Sequence, residues 1–305
     1  MRVTLLAGGT GGTKLGHGFA MLPDVELSVV ANVADDTEMH GLLVCPDIDA
    51  LTYTLSGLID AERGWGVASD THTAHAMFAR LGEEAWFTVG DADLATHVRR
   101  HRLMREGMSL TDATEAITTA FGIAARILPS TDEPWRTVVA TDTADLAFQE
   151  YFVRLRQEPE VRGVRFEGAG RPTPAVLEAI GTADVVVIGP SNPIVSIGPI
   201  LALDGVREAV ASASVIAVSP IIAGAALKGP AGRMLASLGH EVSAAGVARL
   251  YAGLADRFVL DEADAGLAPT VAELGMAALV LPTVMRSEED RAALASAIVA
   301  GVPTN

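Results

Sequence analysis

The N-terminal sequence Val3-Thr4-Leu5-Leu6-Ala7-Gly8-Gly9-Thr10-Gly11-Gly12-Thr13-Lys14 gives the clearest indication of the fold. Residues 3–7 are apolar enough for a short buried strand, and the glycines after them predict a turn into a helix over residues 15–22. Residues 27–32 form a second apolar run that contains β-branched residues. Strand, glycine turn, helix and strand in this order predict a βαβ unit and therefore a parallel sheet.

The same strand pattern returns in the second half of the chain. Apolar runs that end in polar turns predict four more buried strands, over residues 184–189, 215–219, 258–261 and 277–280. Ser287, followed by three acidic residues, predicts the start of a last helix. Between the two halves, residues 70–121 have mainly helical patterns, and residues 135–140 and 146–153 predict a hairpin. We therefore predict an α/β fold with a doubly wound, Rossmann-like and mostly parallel sheet.

The predicted domain organisation follows from this distribution of patterns. Residues 1–60 and 135–305 would form a Rossmann-like, nucleotide-binding core. Residues 61–134 would form a largely helical insertion that contributes to the site of the acceptor substrate.

The composition excludes several classes of partner. The 305 residues carry a formal net charge of −16, with 22 Lys and Arg against 38 Asp and Glu. This surplus of acid disfavours nucleic acid and anionic membranes, whereas an anionic small molecule stays open because local cations can override the overall charge. Cys45 is the only cysteine, so an intrachain disulfide and a Cys-rich zinc site are excluded. The first apolar run is too short for a signal peptide, and we expect a cytoplasmic protein without a membrane segment.

The glycine turn is a candidate phosphate site. Glycines allow backbone N–H groups to approach an anion closely, and the following helix offers its positive N-terminal end. The spacing matches neither a Walker A sequence nor a clean dinucleotide fingerprint. The alternative is a tight turn without a ligand. The candidate nucleotide-binding residues here are Gly8, Gly9, Thr10, Gly11, Gly12 and Lys14.

Four carboxylates follow the second predicted strand. Asp35 and Asp36 stand at its carboxyl end, where ligands of open α/β sheets collect, and Asp47 and Asp49 come shortly after. Oxygen ligands of this kind suit Mg²⁺ beside a pyrophosphate. Asp47 or Asp49 could equally cap a helix.

Polar turns also follow the later strands. Pro190, Ser191 and Asn192 leave one strand, and Ser219 leaves the next. An ordinary rigid loop is the alternative, but these turns could face one crevice together with the glycine turn. His97 is read as part of a helix face beside Arg99 and Arg100.

Taken together, these motifs resemble the 2-phospho-L-lactate transferase family, known in actinobacteria as the phosphoenolpyruvyl transferase of coenzyme F-420 synthesis. The matching stretches follow the family order over nearly the whole chain. They are residues 8–15, 32–36, 45–49, 64–66, 90–97, 148–153, 190–200, 218–222 and 229–232.

The resemblance implies a reaction and a set of roles. A guanosine diphosphate joined to a three-carbon acid would be the donor, and the terminal hydroxyl of the deazaflavin Fo would displace GMP. The residues of the glycine turn, with Pro190, Ser191, Asn192 and Ser219, would hold the nucleotide. Asp49 and Asp36 would be catalytic, Asp35 and Asp49 would bind Mg²⁺, and Asp49, Thr88 and Asp91 would contact Fo. A homodimer is also expected.

The sequence departs from the family pattern at four positions. The family usually has Gly where Ala34 stands, Arg where Ala92 stands, Lys or Arg near Thr88, and Asp where Glu133 stands. Two cations are therefore missing near the expected acceptor pocket.

Two alternative functions differ in class. A non-catalytic nucleotide-sugar-binding regulator would share the glycine turn and the Ser-Asn-Pro turn. It would lack the Asp47 and Asp49 pair and the stretch over residues 90–97. An NAD-dependent oxidoreductase rests on the glycine turn alone.

Overall fold

The structure, a computed structural model, describes residues 1–302. Its strands, in chain order, are β1 (Arg2–Ala7), β2 (Glu26–Ala31), β3 (Thr37–Met39), β4 (Leu42–Val44), β5 (Arg126–Pro129), β6 (Trp135–Thr141), β7 (Asp145–Ala147), β8 (Val161–Gly168), β9 (Val185–Ile188), β10 (Val215–Val218), β11 (Ile221–Ile222), β12 (Ala225–Ala226), β13 (Arg257–Asp261) and β14 (Ala277–Leu281).

The α-helices lie between and after these strands. They are α1 (Gly9–Ala20), α2 (Pro46–Leu55), α3 (Thr73–Arg80), α4 (Asp91–Arg105), α5 (Leu110–Ala120), α6 (Pro174–Thr182), α7 (Gly198–Leu201), α8 (Val206–Ala211), α9 (Ala231–Ser237), α10 (Ala244–Tyr251), α11 (Ala268–Glu273) and α12 (Glu288–Val299). Two π-helical turns span Glu150–Arg154 and Pro193–Ile197, and a 3₁₀-helix spans Glu262–Leu267.

Seven strands form one all-parallel sheet in the order β14-β13-β10-β9-β1-β2-β5. Every residue of β9 and β10 is buried, as expected for central strands covered by helices on both faces. The predicted doubly wound α/β fold is therefore confirmed. No helix within residues 1–302 is long and apolar enough to cross a membrane.

The direction in which the chain adds strands reverses beside β1. From β1 the sheet grows through β2 to β5, and from β9 it grows the other way to β14. The carboxyl ends of β1 and β9 therefore flank the topological switch point, where open α/β sheets bind their ligands.

The first and last helices pack closely on one face of this sheet. A Cβ atom added to Gly18 of α1 would overlap the carbonyl oxygen of Arg291 in α12. Glycine at position 18 is therefore what allows the two helices to approach so closely.

Two local predictions need correction. The first helix begins at Gly9 rather than near Leu15, so most of the glycines lie within its first turns. The hairpin is present, but its second strand ends at Ala147. Phe148, Tyr151 and Phe152 have the spacing of a helical face, and Phe148 stacks on Phe152 with ring centroids 5.4 Å apart. The sequence over residues 148–153 therefore forms a helical turn.

The strand β5 lies inside the segment predicted as the helical insertion. It pairs with β2, so residues 126–129 belong to the central sheet, and α3 to α5 occupy residues 73–120. The division into a core and an insertion stays a prediction.

Candidate active site

A cavity of about 700 Å³ opens at the switch point. Its walls come from the turns after β1, β9 and β10, from α2 and α4, and from the loops over residues 63–66 and 227–231. A single space thus joins the carboxyl edge of the sheet to the helical segment.

The glycine turn contacts two other segments through its backbone. The amide of Gly8 donates to Ser191 Oγ at 3.2 Å, and the amide of Gly9 donates to Asp47 Oδ1 at 2.6 Å. A Cβ atom at Gly11 would overlap the carbonyl oxygen of Pro190. Glycine is required here because the turns after β1 and β9 touch each other. The next amides, of Thr10 and Gly11, lie in the first turn of α1 and border the cavity.

Asp35 and Asp47 form a buried carboxyl pair beside this turn. Burial, followed by the charge of Asp47, raises the pKa of Asp35 well above its usual value. Burial raises the pKa of Asp47 to about 6, although Asp47 accepts hydrogen bonds from Gly9 and from Asn32 Nδ2, the latter at 3.1 Å. Asp35 Oδ1 is buried without a hydrogen-bond partner. Two crowded carboxyl groups and a free oxygen fit a divalent cation with oxygen ligands.

Asp49 is the centre of a second buried network. Its carboxylate accepts hydrogen bonds from both terminal nitrogens of Arg100, one of them at 3.3 Å. The Arg100 side chain is only 1% exposed, and it also donates to the carbonyl of Leu43 at 3.2 Å. Burial alone would lower the pKa of Arg100, but the charge of Asp49 raises it above its usual value. The guanidinium therefore stays charged and fixes Asp49 in place.

His97 and Asp93 extend this network along α4. His97 Nδ1 lies 3.6 Å from Asp49, and His97 Nε2 lies 3.3 Å from Asp93. The Tyr53 hydroxyl donates to Asp93 at 2.7 Å. Burial alone would raise the pKa of Asp93, but its contacts with His97 and Tyr53 outweigh burial and lower it.

The group Asp49, Asp93 and His97 could also hold a metal ion. Ligand atoms of the three residues lie within 4.8 Å of one another. Arg100 already neutralises Asp49, however, so a cation here would compete with an existing ion pair.

The structure brings most of the predicted site residues to the cavity. Those that line it are Gly8, Gly9, Thr10, Gly11, Lys14, Asp35, Asp49, Thr88, Pro190, Ser191, Asn192 and Ser219. Gly12 does not line it but packs against Ala7 and Ser191.

Asp36 and Asp91 also lie away from the cavity. Asp36 borders a small separate space with Arg136 and Gln149, and burial raises its pKa to about 8. Asp91 accepts hydrogen bonds from Thr71 Oγ1 and from the amides of Thr73 and Ala74, so it anchors the start of α3.

The sequence interpretation missed Tyr53, Asp93 and His97 as cavity residues. The pattern that could have revealed two of them is the spacing of Asp93, His97 and Arg100, which places all three on one face of α4. A polar stripe on a helix that packs against the core indicates a buried network.

A doubly wound sheet with a glycine turn and a large cavity at its switch point defines an α/β protein with a ligand-sized site where open sheets of this kind bind their ligands. Comparison with known proteins identifies the family within this class. The profile of the family described as 2-phospho-L-lactate transferase CofD matches residues 3–274. The chain belongs to this family.

Two relatives show how far the similarity extends. The chain is 42% identical to a 2-phospho-L-lactate transferase of Methanosarcina mazei, over 97% of this chain and 98% of that protein. It is 41% identical to a phosphoenolpyruvate transferase of Streptomyces griseus, over 97% and 96% of the two chains. Among solved structures, a upf0052 family protein from Bacillus halodurans matches with a TM-score of 0.65 over 98% of both chains. At 15% identity, that last similarity shows the fold alone.

Proposed function

We propose that this protein is a transferase of coenzyme F-420 biosynthesis that moves a phospho-linked three-carbon acid from a guanosine diphosphate-type donor to the deazaflavin Fo. The acid would be a phospholactyl or phosphoenolpyruvyl group. The observation that carries the proposal is the single cavity that joins the glycine turn to the Asp49 network, in a chain that belongs to the CofD family. We expect the enzyme to act in the cytoplasm.

The lining of the cavity suits two different substrates. The glycine turn, Ser191 and Asn192 offer amides and hydroxyls to a nucleotide diphosphate. Phe87, Phe148 and Phe152 also line the cavity, and they offer aromatic surface to the ring system of Fo. A nucleophile and a donor held in one cavity would react as neighbours, which is the main source of rate in phosphoryl transfer.

Bond changes in the proposed step balance without a further reactant. The terminal hydroxyl oxygen of Fo forms a bond to the phosphorus that bears the acid, and the bond from that phosphorus to the GMP oxygen breaks. The hydroxyl proton leaves to a carboxylate, and we assign this role to Asp49 because Arg100 orients it at the cavity wall. Asp36 lies outside the cavity, and we propose no substrate contact for it.

Mg²⁺ would fit the Asp35 and Asp47 pair better than Asp49. The pair is crowded and leaves Asp35 Oδ1 without a partner, whereas Asp49 already pairs with Arg100. A bound Mg²⁺ would supply charge neutralisation beside the diphosphate. Asp35 thus keeps its predicted role as a metal ligand. Asp47 takes the place of Asp49 in that role, and Asp49 acts only as the base.

The first test is a titration of Fo into the protein, with and without GDP and Mg²⁺, followed by deazaflavin fluorescence. We expect saturable Fo binding and, with a suitable donor, release of GMP. A protein that neither binds Fo nor releases GMP would refute the proposal. Binding of a nucleotide sugar instead would indicate the regulator.

The Asp49→Asn variant tests the proposed base. We expect loss of turnover with guanine nucleotide binding retained. Asp24→Asn is the matched control, since it removes an exposed carboxylate remote from the cavity. Unchanged turnover of Asp49→Asn would remove Asp49 from the mechanism.

A further inference from the structure

The distribution of lysine in this chain is unusual. Lys14 and Lys228 are the only two lysines, and arginine supplies all the other residues of the 22 Lys and Arg. Both lysines line the cavity. The chain otherwise uses arginine, and it thus places both of its lysine ammonium groups at one site.

Within residues 1–302, neither ammonium has an acidic partner, although the chain has 38 Asp and Glu. The ion pairs of residues 1–302 involve arginine and histidine but no lysine. Lys14 Nζ donates to the carbonyl of Met285 at 2.9 Å, and Lys228 Nζ donates to the carbonyl of Glu62 at 3.3 Å. Because an ammonium has three donors, each lysine keeps donors for a ligand.

The two ammonium groups are close enough to repel each other. Burial lowers the pKa of Lys14, and the positive charges of Arg291 and Lys228 lower it further. Like charges that face one cavity without a direct ion-pair partner are unfavourable, and an anion with two or more negative charges that contacts both would relieve this repulsion.

The surroundings of the lysines fit a phosphate ligand. Lys14 belongs to the first turns of α1, as do Thr10 and Gly11, and all three residues line the cavity. Lys228 comes from the loop after β12, which also lines the cavity. A Cβ atom added to Gly64 would lie 3.4 Å from Thr10 Cγ2 and 3.5 Å from Lys228 Nζ, so the loops converge at this point. Lysine acts as an adaptable point charge toward phosphate oxygens.

We propose that Lys14 and Lys228 together form a two-point site for a diphosphate group, with Lys14 fixed on α1 and Lys228 approaching from the loop. Lys228 is thereby a further binding residue for the donor. The inference rests on the proposed function only in naming the diphosphate as part of a guanosine nucleotide; the site itself follows from the two lysines.

Calorimetric titration with inorganic pyrophosphate and with GDP tests the site directly. A charged hydrogen bond to phosphate is lost in Lys228→Met, so we expect affinity for both probes to fall about tenfold or more. Lys228→Arg keeps the charge and should retain most of the affinity. Arg80→Met is the matched control, because it removes one exposed cation at the end of α3 and should bind both probes as the wild-type protein does.

Amine modification gives a readout that is independent of substitution. Only three amines are present, namely the α-amino group of Met1 and the two lysines. Reductive methylation followed by peptide mass spectrometry reports on each one separately. We expect pyrophosphate and GDP to protect both lysines and to leave Met1 modified as before.

The outcomes separate the inference from the proposed function. Binding of either probe without protection of the lysines, or with unchanged affinity in Lys228→Met, overturns the diphosphate site. Pyrophosphate protection without GDP binding supports the site and contradicts the guanosine donor. If the wild-type protein binds neither probe, both proposals fail.

Discussion

At the scale of single residues, the site depends on how buried charges are compensated. Asp49 and Arg100 are both nearly inaccessible, and each is the main counterion of the other. A buried ion pair of this kind adds little net stability, but removal of one partner leaves an isolated buried charge. Because of this pair, any movement of the Asp49 carboxylate away from Arg100 would cost free energy.

We expect Arg100→Met to lower the free energy of unfolding by about 3–5 kcal/mol, because it leaves the Asp49 charge buried without a partner. The double variant Asp49→Asn with Arg100→Met removes both charges and should be more stable than Arg100→Met. Urea unfolding of the wild-type protein, both single variants and the double variant measures the coupling. A loss in the double variant equal to the sum of the losses in the two single variants would show that the pair is not coupled.

Asp36 makes the stability of the fold depend on pH. Burial raises its pKa from 3.8 to about 8 in the folded protein, so the folded state binds this proton more tightly than the unfolded state. The contribution is fully present below pH about 4 and is lost as pH rises through about 8. We therefore expect Asp36→Asn to be more stable than the wild-type protein at pH about 8.5, by more than about 1 kcal/mol, given about 1.4 kcal/mol per pKa unit.

Unfolding free energies of both proteins at pH about 5 and about 8.5 check this expectation. The difference between them should shrink at the lower pH, where the Asp36 carboxyl is already protonated. A constant difference at both pH values would contradict a raised pKa.

At this scale, the sequence identified the turns of the site better than its charge networks. Glycine and the Ser191-Asn192 turn are recognisable because strand ends have local signatures. The pairing of Asp49 with Arg100 joins residues 51 positions apart, and it depends on how α2 packs near α4. Nothing in the local sequence at either residue specifies that contact. The roles of Asp36 and Asp91 were expected from the family resemblance, but the structure places both side chains away from the cavity.

At the scale of elements, close packing rather than propensity explains why α1 contains so many glycines. Four of the first eight residues of α1 are glycine, which disfavours a helix by about 1 kcal/mol per residue. Contact with the turn after β9 requires Gly11 and Gly12, and contact with α12 requires Gly18 further along the helix. The helix begins earlier than the sequence predicts because tertiary contacts outweigh this intrinsic preference.

Gly18→Ala tests this packing. The added methyl group would overlap the Arg291 carbonyl, and we expect a loss of about 1–3 kcal/mol despite the better helix propensity of alanine. Gly181→Ala is the matched control, since the same change in α6 meets no atom within 4 Å. It should leave stability unchanged or raise it by up to about 1 kcal/mol. Urea unfolding compares the two, and similar effects would show that α1 and α12 have room between them.

Among the strands, apolar runs located six of the seven members of the central sheet. These runs are mostly apolar and bounded by turns, so their pattern is local. The missed strand, β5 (Arg126–Pro129), places only Ile127 and Leu128 between an arginine and a proline. Its place at the sheet edge depends on pairing with β2, which no short window of sequence reveals.

At the scale of the whole molecule, acidic residues outnumber basic ones, and both lysines line the cavity. The acidic side chains behind the net charge of −16 repel one another in the folded protein. Exposed ion pairs offset this repulsion little, because each contributes only about 0–1 kcal/mol to stability. Salt should therefore weaken the repulsion between the negative charges more than it weakens the attraction within the ion pairs.

We expect the urea midpoint of unfolding to rise when NaCl increases from about 0.05 M to about 0.5 M, because screening shortens the range of the repulsion. NaCl is preferred to phosphate, which would also bind the two lysines. A midpoint that falls with NaCl would show that the local ion pairs outweigh the overall charge.

The contact between Gly18 and Arg291 has a consequence for synthesis. The helix α1 is made early, but the surface that covers one of its sides belongs to α12, which the ribosome completes only at residue 299. Because the chain emerges from its N-terminus, one side of the helix after the glycine turn stays uncovered until residue 299 has been made. A nascent chain that has not reached α12 would therefore carry β1 and α1 with the Gly18 surface exposed.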